Sequence, residues 1–318
     1  MPDPGARRRR RLAEELEEAG LALDGTEAFR ELLLDEIDHA LRPAVHERRV
    51  VSSGTILDPH SDPATWEAGT QLHLTRGPAD QQPLPAARLF ADGLSSWLLR
   101  RTDGVDEWMV FDRPAGSERD LVVLASVFDA TIVQRHPAGW VRLVGSFGVL
   151  RWEGFRWHHE PPAGSWTEAV ATSARHGNAE VIEDILEFAI HDLGSMRIGA
   201  LLIYRPDGRP GPPVEERLPT PPPLRIDAAT HLAPLRHALA QVDGAAVFDA
   251  NGVLRQLGVR LVPSDAAEHS VEALRGTRHT AARRYSHDDP LATVIAVSDD
   301  GPVTVFRNGA VLANSYAD

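Results

Sequence analysis

Residues 243–262, DGAAVFDANGVLRQLGVRLV, decide the fold that this sequence predicts. Ala245 to Phe248 is a short apolar run of strand length, and Val253 to Val262 is a second run of strand character. The turn residues Ala250-Asn251-Gly252 lie between them, so the stretch is typical of a β-hairpin. Asp243 stands where the first strand begins, which places a carboxylate at the edge of a sheet.

Helix-like and strand-like segments alternate on both sides of this hairpin. In chain order they are a helix over 178–193, a buried strand from Ile198 to Tyr204, a helix over 227–240, a helix over 269–284, and a second hairpin formed by Thr293 to Val297 and Val303 to Arg307. This alternation predicts an α/β (α+β) fold, in which helices flank a mixed, twisted sheet. Residues 206–223, which hold eight of the 24 prolines, read either as a linker between domains or as a loop inside this one.

The N-terminal half has a different pattern. Residues 7–49 are predicted to form two helices, and residues 88–101 a short amphipathic helix. Short strand-like runs follow, Leu121 to Val127 among them. We therefore divide the chain into residues 1–170, with a helical start and a β-rich second half, and residues 171–318.

The composition excludes several chemistries at once. The chain has no cysteine and no lysine, and all 33 of its basic residues are arginines. Thiol nucleophiles, Cys-ligated metals, a Walker A lysine and a Schiff-base lysine are therefore impossible, and a phosphate must be bound by arginine, by backbone N–H groups or through a metal. The net charge of −13 argues against nucleic acid as a partner.

No apolar run approaches the roughly 18 residues that a spanning helix needs. The basic residues Arg7 to Arg11 are not followed by the apolar segment that a signal peptide requires. We therefore expect neither a membrane span nor a signal peptide, and we expect a cytoplasmic protein.

Asp243-Gly244-Ala245 is the first motif that points to chemistry. A carboxylate at a strand end is a suitable Mg²⁺ ligand, since Mg²⁺ is usually held by one or two carboxylates together with substrate phosphates. The small residues Gly244 and Ala245 would let a ligand approach the backbone closely. Taken alone, an Asp-Gly pair more often makes only a turn.

Gly276-Thr277-Arg278-His279 is the second such motif. Glycine and a hydroxyl residue where a helix begins can offer N–H groups to a phosphate. Arg278 can bind a phosphate in bidentate fashion, and His279 can add another donor. Taken alone, such a segment is more often a helix cap with solvated charges.

Two patterns in residues 1–170 also have a functional and a structural interpretation. His158-His159-Glu160 offers metal ligands, but adjacent strand residues point to opposite faces, so the two histidines cannot easily share one ion. The second pattern interleaves four aromatic residues with three arginines: Trp140, Trp152, Phe155 and Trp157 with Arg142, Arg151 and Arg156. A base-stacking platform and a strand with one buried face both fit this pattern, and the strand is the more common.

The two motifs of the C-terminal half occur together in one family. Residues from about 177 to 312 resemble the diadenylate cyclase (DAC) domain, the DisA-type nucleotide-binding domain of the DNA-integrity scanning protein and of membrane-bound cyclases. The shared landmarks are, in chain order, Ile198-Gly199-Ala200-Leu201, Asp243-Gly244-Ala245, Gly258-Val259-Arg260-Leu261, Gly276-Thr277-Arg278-His279, Val297-Ser298-Asp299-Asp300 and Arg307-Asn308-Gly309. The resemblance covers a little over two fifths of the chain and assigns the proline-rich stretch to a loop within the domain.

Such domains condense two ATP molecules into cyclic di-AMP and release two pyrophosphates, using Mg²⁺ or Mn²⁺, in a homodimer or higher homo-oligomer whose domains face each other. The resemblance implies catalytic roles for Asp243, Arg278 and His279, and metal binding by Asp243 and Asp300. It implies ATP contacts for Gly244, Ala245, Leu261, Gly276, Thr277 and Ser298. By analogy, residues 1–170 are a regulatory or sensor-like domain.

This chain departs from the family where the second motif usually ends in arginine, because the position is Thr280. Loss of an arginine that neutralises transition-state charge costs roughly 3–4 kcal/mol. Arg283 or Arg284, one turn further along the helix, could compensate. Together with Arg275 and Arg278 they are expected to form a positive island around ATP. The alternative function is a catalytically weak or inactive module that binds ATP or a cyclic dinucleotide as a sensor.

Overall fold

The computed structural model describes residues 4–43, 45–46, 49–173, 178–207, 211–274 and 276–315. The chain forms two compact units, Met1–Pro162 and Ala163–Asp318. The sequence-based boundary after residue 170 falls inside the first helix of the second unit. Neither unit contains, in its described residues, a helix that is long and apolar enough to cross a membrane.

The first unit combines helices with a mixed sheet. Its helices are α1 (Pro4–Glu18), α2 (Glu27–Leu41), α3 (Trp66–Thr70), α4 (Leu84–Arg88) and α5 (Glu118–Phe128). Its strands are β1 (Val45–His46), β2 (Arg49–Val50), β3 (Ser53–Leu57), β4 (Leu74–Pro78), β5 (Ser96–Arg100), β6 (Glu107–Phe111), β7 (Thr131–Arg135), β8 (Val141–Gly145), β9 (Gly148–Trp152) and β10 (Trp157–Glu160). An eight-stranded sheet has the order β10-β9-β8-β7-β3-β5-β6-β4, with β3 and β5 parallel and β1 paired separately with β2.

Helices cover both faces of this sheet. Ile56 and Leu57 are adjacent in β3, so their side chains point to opposite faces, and both are fully buried. Leu57 shares an apolar cluster with Leu16 of α1 and Ile37 of α2, whereas Ile56 shares one with Phe128 of α5. The sheet therefore carries an apolar layer on each face.

The prediction of a strand from Leu121 to Val127 is wrong, because the segment lies in α5. Its β-branched valines favour a strand locally. The helix is fixed by a capping box, in which the Asp120 N–H donates to the Ser117 hydroxyl at 3.2 Å and the Ser117 N–H donates to the Asp120 carboxylate at 3.0 Å. This Ser-x-x-Asp spacing was the signal in the sequence that a helix begins here.

The predicted helix over 88–101 is also wrong. Helix α4 ends at Arg88, and β5 occupies the end of the predicted range. Trp97, Leu98 and Leu99 are consecutive in β5 and all fully buried. Three consecutive buried residues suit a strand that is covered on both faces, whereas a helix on a sheet would expose one of them.

The second unit is built around its own sheet. Its helices are α6 (Ala163–Ser173), α7 (Ala179–Glu187), α8 (Ala229–Leu239), α9 (Asp265–Ser270) and α10 (Thr277–Asp288), and α7 continues as a π-helical turn over Phe188–Leu193 and a 3₁₀ turn over Gly194–Met196. Its strands are β11 (Ala200–Tyr204), β12 (Val214–Glu215), β13 (Ala245–Phe248), β14 (Leu254–Leu261), β15 (Thr293–Val297), β16 (Val303–Arg307) and β17 (Ala310–Asn314). The sheet order is β12-β14-β13-β11-β15-β16-β17, with β11 and β13 parallel and the other neighbours antiparallel.

Helices again cover both faces. In β11, Leu202 belongs to the apolar cluster of Ile185 from α7 and Leu235 from α8, whereas Leu201 belongs to the cluster of Ala282 from α10. The mixed sheets and flanking helices confirm the predicted fold class. Strand β12 pairs with β14, so the described part of the proline-rich stretch is a loop within this unit.

The predicted helix over 269–284 is two helices. Helix α9 ends at Ser270 and α10 begins at Thr277. Gly276, which precedes α10, has φ 102° and ψ 136°, a conformation that cannot continue a helix. The break places the beginning of α10 next to the sheet edge described below.

Candidate functional site

Four chain segments meet at one edge of the second sheet. In the parallel pair, Leu201 lies opposite Ala245, and in the antiparallel pair with β15, Ala200 lies opposite Val297. On the other side of β13, Ala245 lies opposite Val259 of β14. The register therefore brings the beginnings of β11 and β13 and the ends of β14 and β15 to the same edge. These segments carry the predicted site residues other than Gly276 and those of α10.

Asp243 lies at this edge, exposed, two residues before β13. Within the described part of the chain, its carboxylate has no hydrogen bond or ion pair to another side chain. The carboxylate is therefore available to a cation or to a ligand hydroxyl.

The fold itself requires glycine at position 244. Its φ is +113°, and a Cβ added there would lie 2.7 Å from the carbonyl carbon of Gly258 in β14. The loop thus passes too close to the neighbouring strand for any side chain. Ala245 and Leu261 are both buried in one apolar cluster with Ala282 of α10, and their contacts with ATP stay predictions.

The first turn of α10 offers backbone donors. Thr277 is the exposed first residue of the helix, and Gly276 before it is also exposed. The N–H groups of a first helical turn have no acceptor within the helix, so they can bind an anion. The phosphate-cradling role assigned to these two residues stays a prediction.

Arg278 lies against Gly199, the residue before β11. A Cβ added at Gly199 would lie 2.9 Å from Cζ of Arg278, so the guanidinium occupies the space that any other side chain would fill. Within the described residues, Arg278 makes no hydrogen bond and no ion pair. Its donors are therefore held at the sheet edge and are available to a ligand.

His279 follows on the same turn and is half-buried. Its ring meets that of Phe306 edge-on, with centroids 6.1 Å apart. Burial lowers the pKa of His279 below its ordinary value of 6.5, the Arg278 charge lowers it further, and the Asp300 carboxylate acts in the opposite direction. The ring is thus neutral near pH 7, and Asp300 interacts with it electrostatically.

Ser298 and Asp300 lie in the turn that follows β15. The Ser298 N–H donates to the Pro302 carbonyl at 2.8 Å, and the Gly301 N–H donates to the Ser298 carbonyl at 3.1 Å. Asp300 is exposed on this turn. The geometry keeps both residues at the edge, while their contacts with phosphate or metal stay predictions.

The Thr280 side chain stabilises the loop that precedes α10. Its hydroxyl accepts a hydrogen bond from the Leu274 N–H at 3.0 Å and lies 3.0 Å from the carbonyl oxygens of Leu274 and Gly276. The side chain therefore closes the loop that leads into α10. It does so at the position where the family motif usually has arginine.

Three of the four arginines of the predicted positive island lie in the described residues. Arg283 donates to the carbonyl oxygens of Gly309 at 2.9 Å and Glu272 at 3.2 Å, so the fold uses its guanidinium. Arg275 lies outside the described residues. Among the described members of the predicted cluster, Arg278 has no hydrogen bond or ion pair, and Arg284 has the Glu268 carboxylate 3.7 Å from one terminal nitrogen.

The expected metal would have few protein ligands. Among the described residues, no group of three or more acidic or histidine side chains is placed to hold an ion. Mg²⁺ typically needs one or two carboxylates when substrate phosphates supply the remaining ligands, and the unpartnered Asp243 carboxylate fits that requirement. Asp300 is the second carboxylate of the prediction.

Arg142, Arg151 and the two histidines of the first unit have structural partners. Arg151 donates to Glu118 at 2.7 Å, and Arg142 lies 3.4 Å from the same carboxylate, so neither arginine is presented for base stacking. Nε2 of His158 lies 3.1 Å from Glu153, whereas Nε2 of His159 lies 2.7 Å from the carbonyl oxygen of Phe147. The two histidines have separate partners, as the strand geometry predicted.

Two family models match parts of the chain. Residues 187–311 match the family model described as DAC, DisA bacterial checkpoint controller nucleotide-binding. This part of the chain is a DAC domain. Residues 10–160, which precede the DAC domain, match the family model described as probable sensor domain DACNK.

The other comparisons concern whole proteins. No curated protein sequence matches the chain. A crystal structure described as a hypothetical membrane spanning protein from Bacillus cereus has 19% sequence identity and a TM-score of 0.33, and the match covers 46% of this chain and 69% of that one.

Sequence reasoning missed one contact and left one residue undecided. Gly199 belongs to the strand motif Ile198-Gly199-Ala200-Leu201, but its close approach to Arg278 depends on how α10 packs. Arg284 was one of two candidates to replace the missing arginine. Only the helix phase, which directs Arg283 to backbone carbonyls, distinguishes the two.

Proposed function

We propose that this protein is a diadenylate cyclase that condenses two ATP molecules into cyclic di-AMP and releases two pyrophosphates. The observation that carries the proposal is the meeting of Asp243, Arg278 and His279 at one edge of the DAC-domain sheet. Asp243 and Arg278 are exposed or half-exposed there without a side-chain partner among the described residues. Unpartnered charges of both signs suit a ligand that combines phosphates with a cation.

The reaction is two phosphoryl transfers. In each, the 3′-oxygen of one ATP bonds to the α-phosphorus of the other, the bond from that phosphorus to the α,β-bridging oxygen breaks, pyrophosphate leaves, and the hydroxyl proton goes to solvent. Such transfers depend mainly on positioning and on charge neutralisation. A bound Mg²⁺ or Mn²⁺ would supply part of that neutralisation, held by Asp243 and Asp300 together with the phosphates.

Some groups of the protein bind the phosphates, and others neutralise the charge that develops on them. The first-turn N–H groups that follow Gly276, with the Thr277 hydroxyl, bind phosphate oxygens. Arg278 neutralises the charge that develops on the α-phosphate and on the leaving pyrophosphate. His279, neutral near pH 7, donates one hydrogen bond. Ser298 adds a contact to the phosphates.

The apolar part of the site would hold the base. Leu261 ends β14 at the same sheet edge and is the proposed contact to adenine, beside Gly244 and Ala245. One DAC domain holds one ATP, and the product requires two. We therefore include in the proposal a homodimer, or a higher homo-oligomer, in which two such edges face each other.

The proposal is tested by incubating the full chain with ATP and Mg²⁺ or Mn²⁺ and identifying the products by mass spectrometry. Asp243→Asn is the matched variant, because it removes the charge of an exposed side chain and keeps its size. Cyclic di-AMP from the wild type but not from Asp243→Asn is expected. The absence of any cyclic dinucleotide with either metal, in a protein that binds ATP, would contradict the proposal.

A second candidate is a nucleotide sensor with little or no turnover. Two observations favour it. The Thr280 hydroxyl is hydrogen-bonded to the backbone of the loop that leads into α10, and residues 10–160 match a probable sensor family. Thr280→Arg separates the two candidates. If this variant produces cyclic di-AMP and the wild type does not, the native protein is the sensor.

We further propose that the first unit regulates the DAC domain by binding a signal. The match to a probable sensor family supports this role. Comparing product formation by the full chain with that by residues 163–318 would reveal it as a difference in rate. Equal rates under all conditions tested would count against regulation by this unit.

A further inference from the structure

A cavity of about 400 Å³ lies beside the first two turns of α10. It is lined by Pro263, Leu274, Gly276, Thr277, Thr280, Ala281 and Arg284. The lining residues from α10 are Thr277, Thr280, Ala281 and Arg284. Their spacing places them on one face of the helix, which forms one wall of the cavity. The cavity therefore contacts the loop and the first turn to which the phosphate role is assigned.

Arg284 is the charged residue of this wall. Its side chain is only 22% exposed, and its Nε is buried without a hydrogen-bond partner in the described part of the chain. Its nearest carboxylate is Glu268, 3.7 Å from one terminal nitrogen and itself half-exposed. Buried donors are nearly always paired in folded proteins, so an unpaired guanidinium donor at a cavity indicates a missing acceptor.

The neighbouring Arg283 differs from Arg284 in its hydrogen-bond partners. Arg283 uses its Nε and a terminal nitrogen on the carbonyl oxygens of Gly309 and Glu272. Arg284 is one residue further along α10 and faces the cavity instead. Arg283 is thus hydrogen-bonded within the fold, whereas Nε of Arg284 has no hydrogen-bond partner among the described residues.

The residue one turn earlier on the same face explains how Arg284 can reach a ligand. Thr280 is short, and its hydroxyl is turned to the backbone of Leu274 and Gly276. Among the described residues that line this wall, none with a long side chain therefore stands between Arg284 and the beginning of the helix. A guanidinium that extends from the second turn can meet an anion held at the first.

We propose that Arg284 binds the polyphosphate of the nucleotide, supplying from the second turn of α10 the positive charge that Thr280 does not supply from the first. The ligand class is a nucleoside triphosphate, and inorganic pyrophosphate reproduces two of its linked phosphates. The identity of the nucleotide rests on the proposed function, whereas the phosphate contact rests on the cavity and on Arg284.

The test uses the full chain and measures the binding of pyrophosphate and of ATP by calorimetry. Arg284→Gln should raise both dissociation constants roughly 10- to 100-fold, the usual effect of losing hydrogen bonds to a charged group. Arg260→Gln is the matched control, because Arg260 of β14 is an exposed arginine that pairs with Glu215 of β12. This variant should bind both ligands as the wild type does. Arg284→Lys, which keeps the charge, should lose less than Arg284→Gln.

Moving the charge provides a second, independent measurement. In the Arg284→Gln background, Thr280→Arg should restore pyrophosphate binding, since it returns a guanidinium to the same wall one turn earlier. The thermal unfolding midpoint of each variant shows whether it is folded. If Arg284→Gln destabilises the fold, the comparison of Arg284→Lys with the wild type provides the test.

Two outcomes would overturn the inference: pyrophosphate and ATP binding by Arg284→Gln that equals the wild type, or a wild type that binds neither ligand. The first leaves the proposed cyclase intact, because turnover is measured separately. Conversely, a protein whose Arg284-dependent ATP binding yields no cyclic product would sustain this inference and contradict the proposed function.

Discussion

The Arg278 guanidinium lies on the bare Cα of Gly199, so the residue that precedes β11 determines where a cationic side chain of α10 can rest. The two residues are far apart in sequence, and the packing of α10 against the mixed sheet brings them together. This contact holds the arginine at the edge where β11, β13 and β15 converge. Because the contact involves only the end of the Arg278 side chain, a change at Gly199 can move the guanidinium without destabilising the fold.

Gly199→Ala is expected to weaken ATP binding with little effect on stability. A Cβ at this position would meet the end of a flexible side chain, which can move aside. Displacement of Arg278 should raise the ATP dissociation constant about 10-fold or more, as loss of a charge-assisted contact does. Calorimetric titration and thermal unfolding measure the two effects separately. Unchanged affinity would show that the contact does not position Arg278 for the ligand.

Gly244→Ala is expected to destabilise the second unit, by at least about 2 kcal/mol. The new Cβ would lie 2.7 Å from backbone atoms of Gly258, and the φ of +113° is itself unfavourable for alanine. Denaturant unfolding followed by tryptophan fluorescence and circular dichroism measures the loss. Gly164→Ala serves as the control, since its Cβ would approach only the end of Glu183, at 3.4 Å, and it should cost nothing. Equal stability of the two variants would contradict the predicted backbone clash.

ATP binding is expected to strengthen as the pH falls from 7.5 to 6. Burial and the Arg278 charge lower the pKa of His279 below that value, so the ligand-free ring is neutral near pH 7. Bound phosphates favour the protonated ring, so binding takes up a proton in this range. The dissociation constant should therefore decrease from pH 7.5 to pH 6. In His279→Gln this dependence should be reduced to that of ATP itself.

The same shift has the opposite sign for the stability of the ligand-free protein. A histidine with a lowered folded-state pKa binds protons less readily than the unfolded chain does. Unfolding is therefore favoured increasingly as the pH falls through 6.5. Thermal unfolding of wild type and His279→Gln between pH 7.5 and 5.5 checks this. A wild type that does not lose stability relative to the variant over that range would show that His279 is not desolvated.

The hairpin strands β13 and β14 were predictable because local pattern and tertiary environment agree. Their apolar runs are of strand length, and the turn residues between them favour a reversal. The strand prediction for Leu121 to Val127 failed because β-branched residues favour a strand, while the Ser117 and Asp120 capping box favours a helix. Local propensity is weak enough for the cap and the packing of α5 to decide.

The candidate site was predicted in its parts but not in its geometry. The order of the motifs around Asp243 and Arg278 was visible in the sequence, whereas their common edge follows from strand register. The choice between Arg283 and Arg284 depends on the rotation of α10 against the sheet. The roles of Thr280 and Gly199 depend on single contacts, which no periodicity encodes.

The most direct test of the cyclase proposal is to supply an equal mixture of unlabelled and uniformly ¹³C-labelled ATP and to record the masses of the cyclic product. If two ATP molecules are joined, the account predicts three product masses, with the half-labelled species the most abundant. A product that contains only fully labelled or fully unlabelled nucleotide, or the absence of a cyclic dinucleotide, would contradict it.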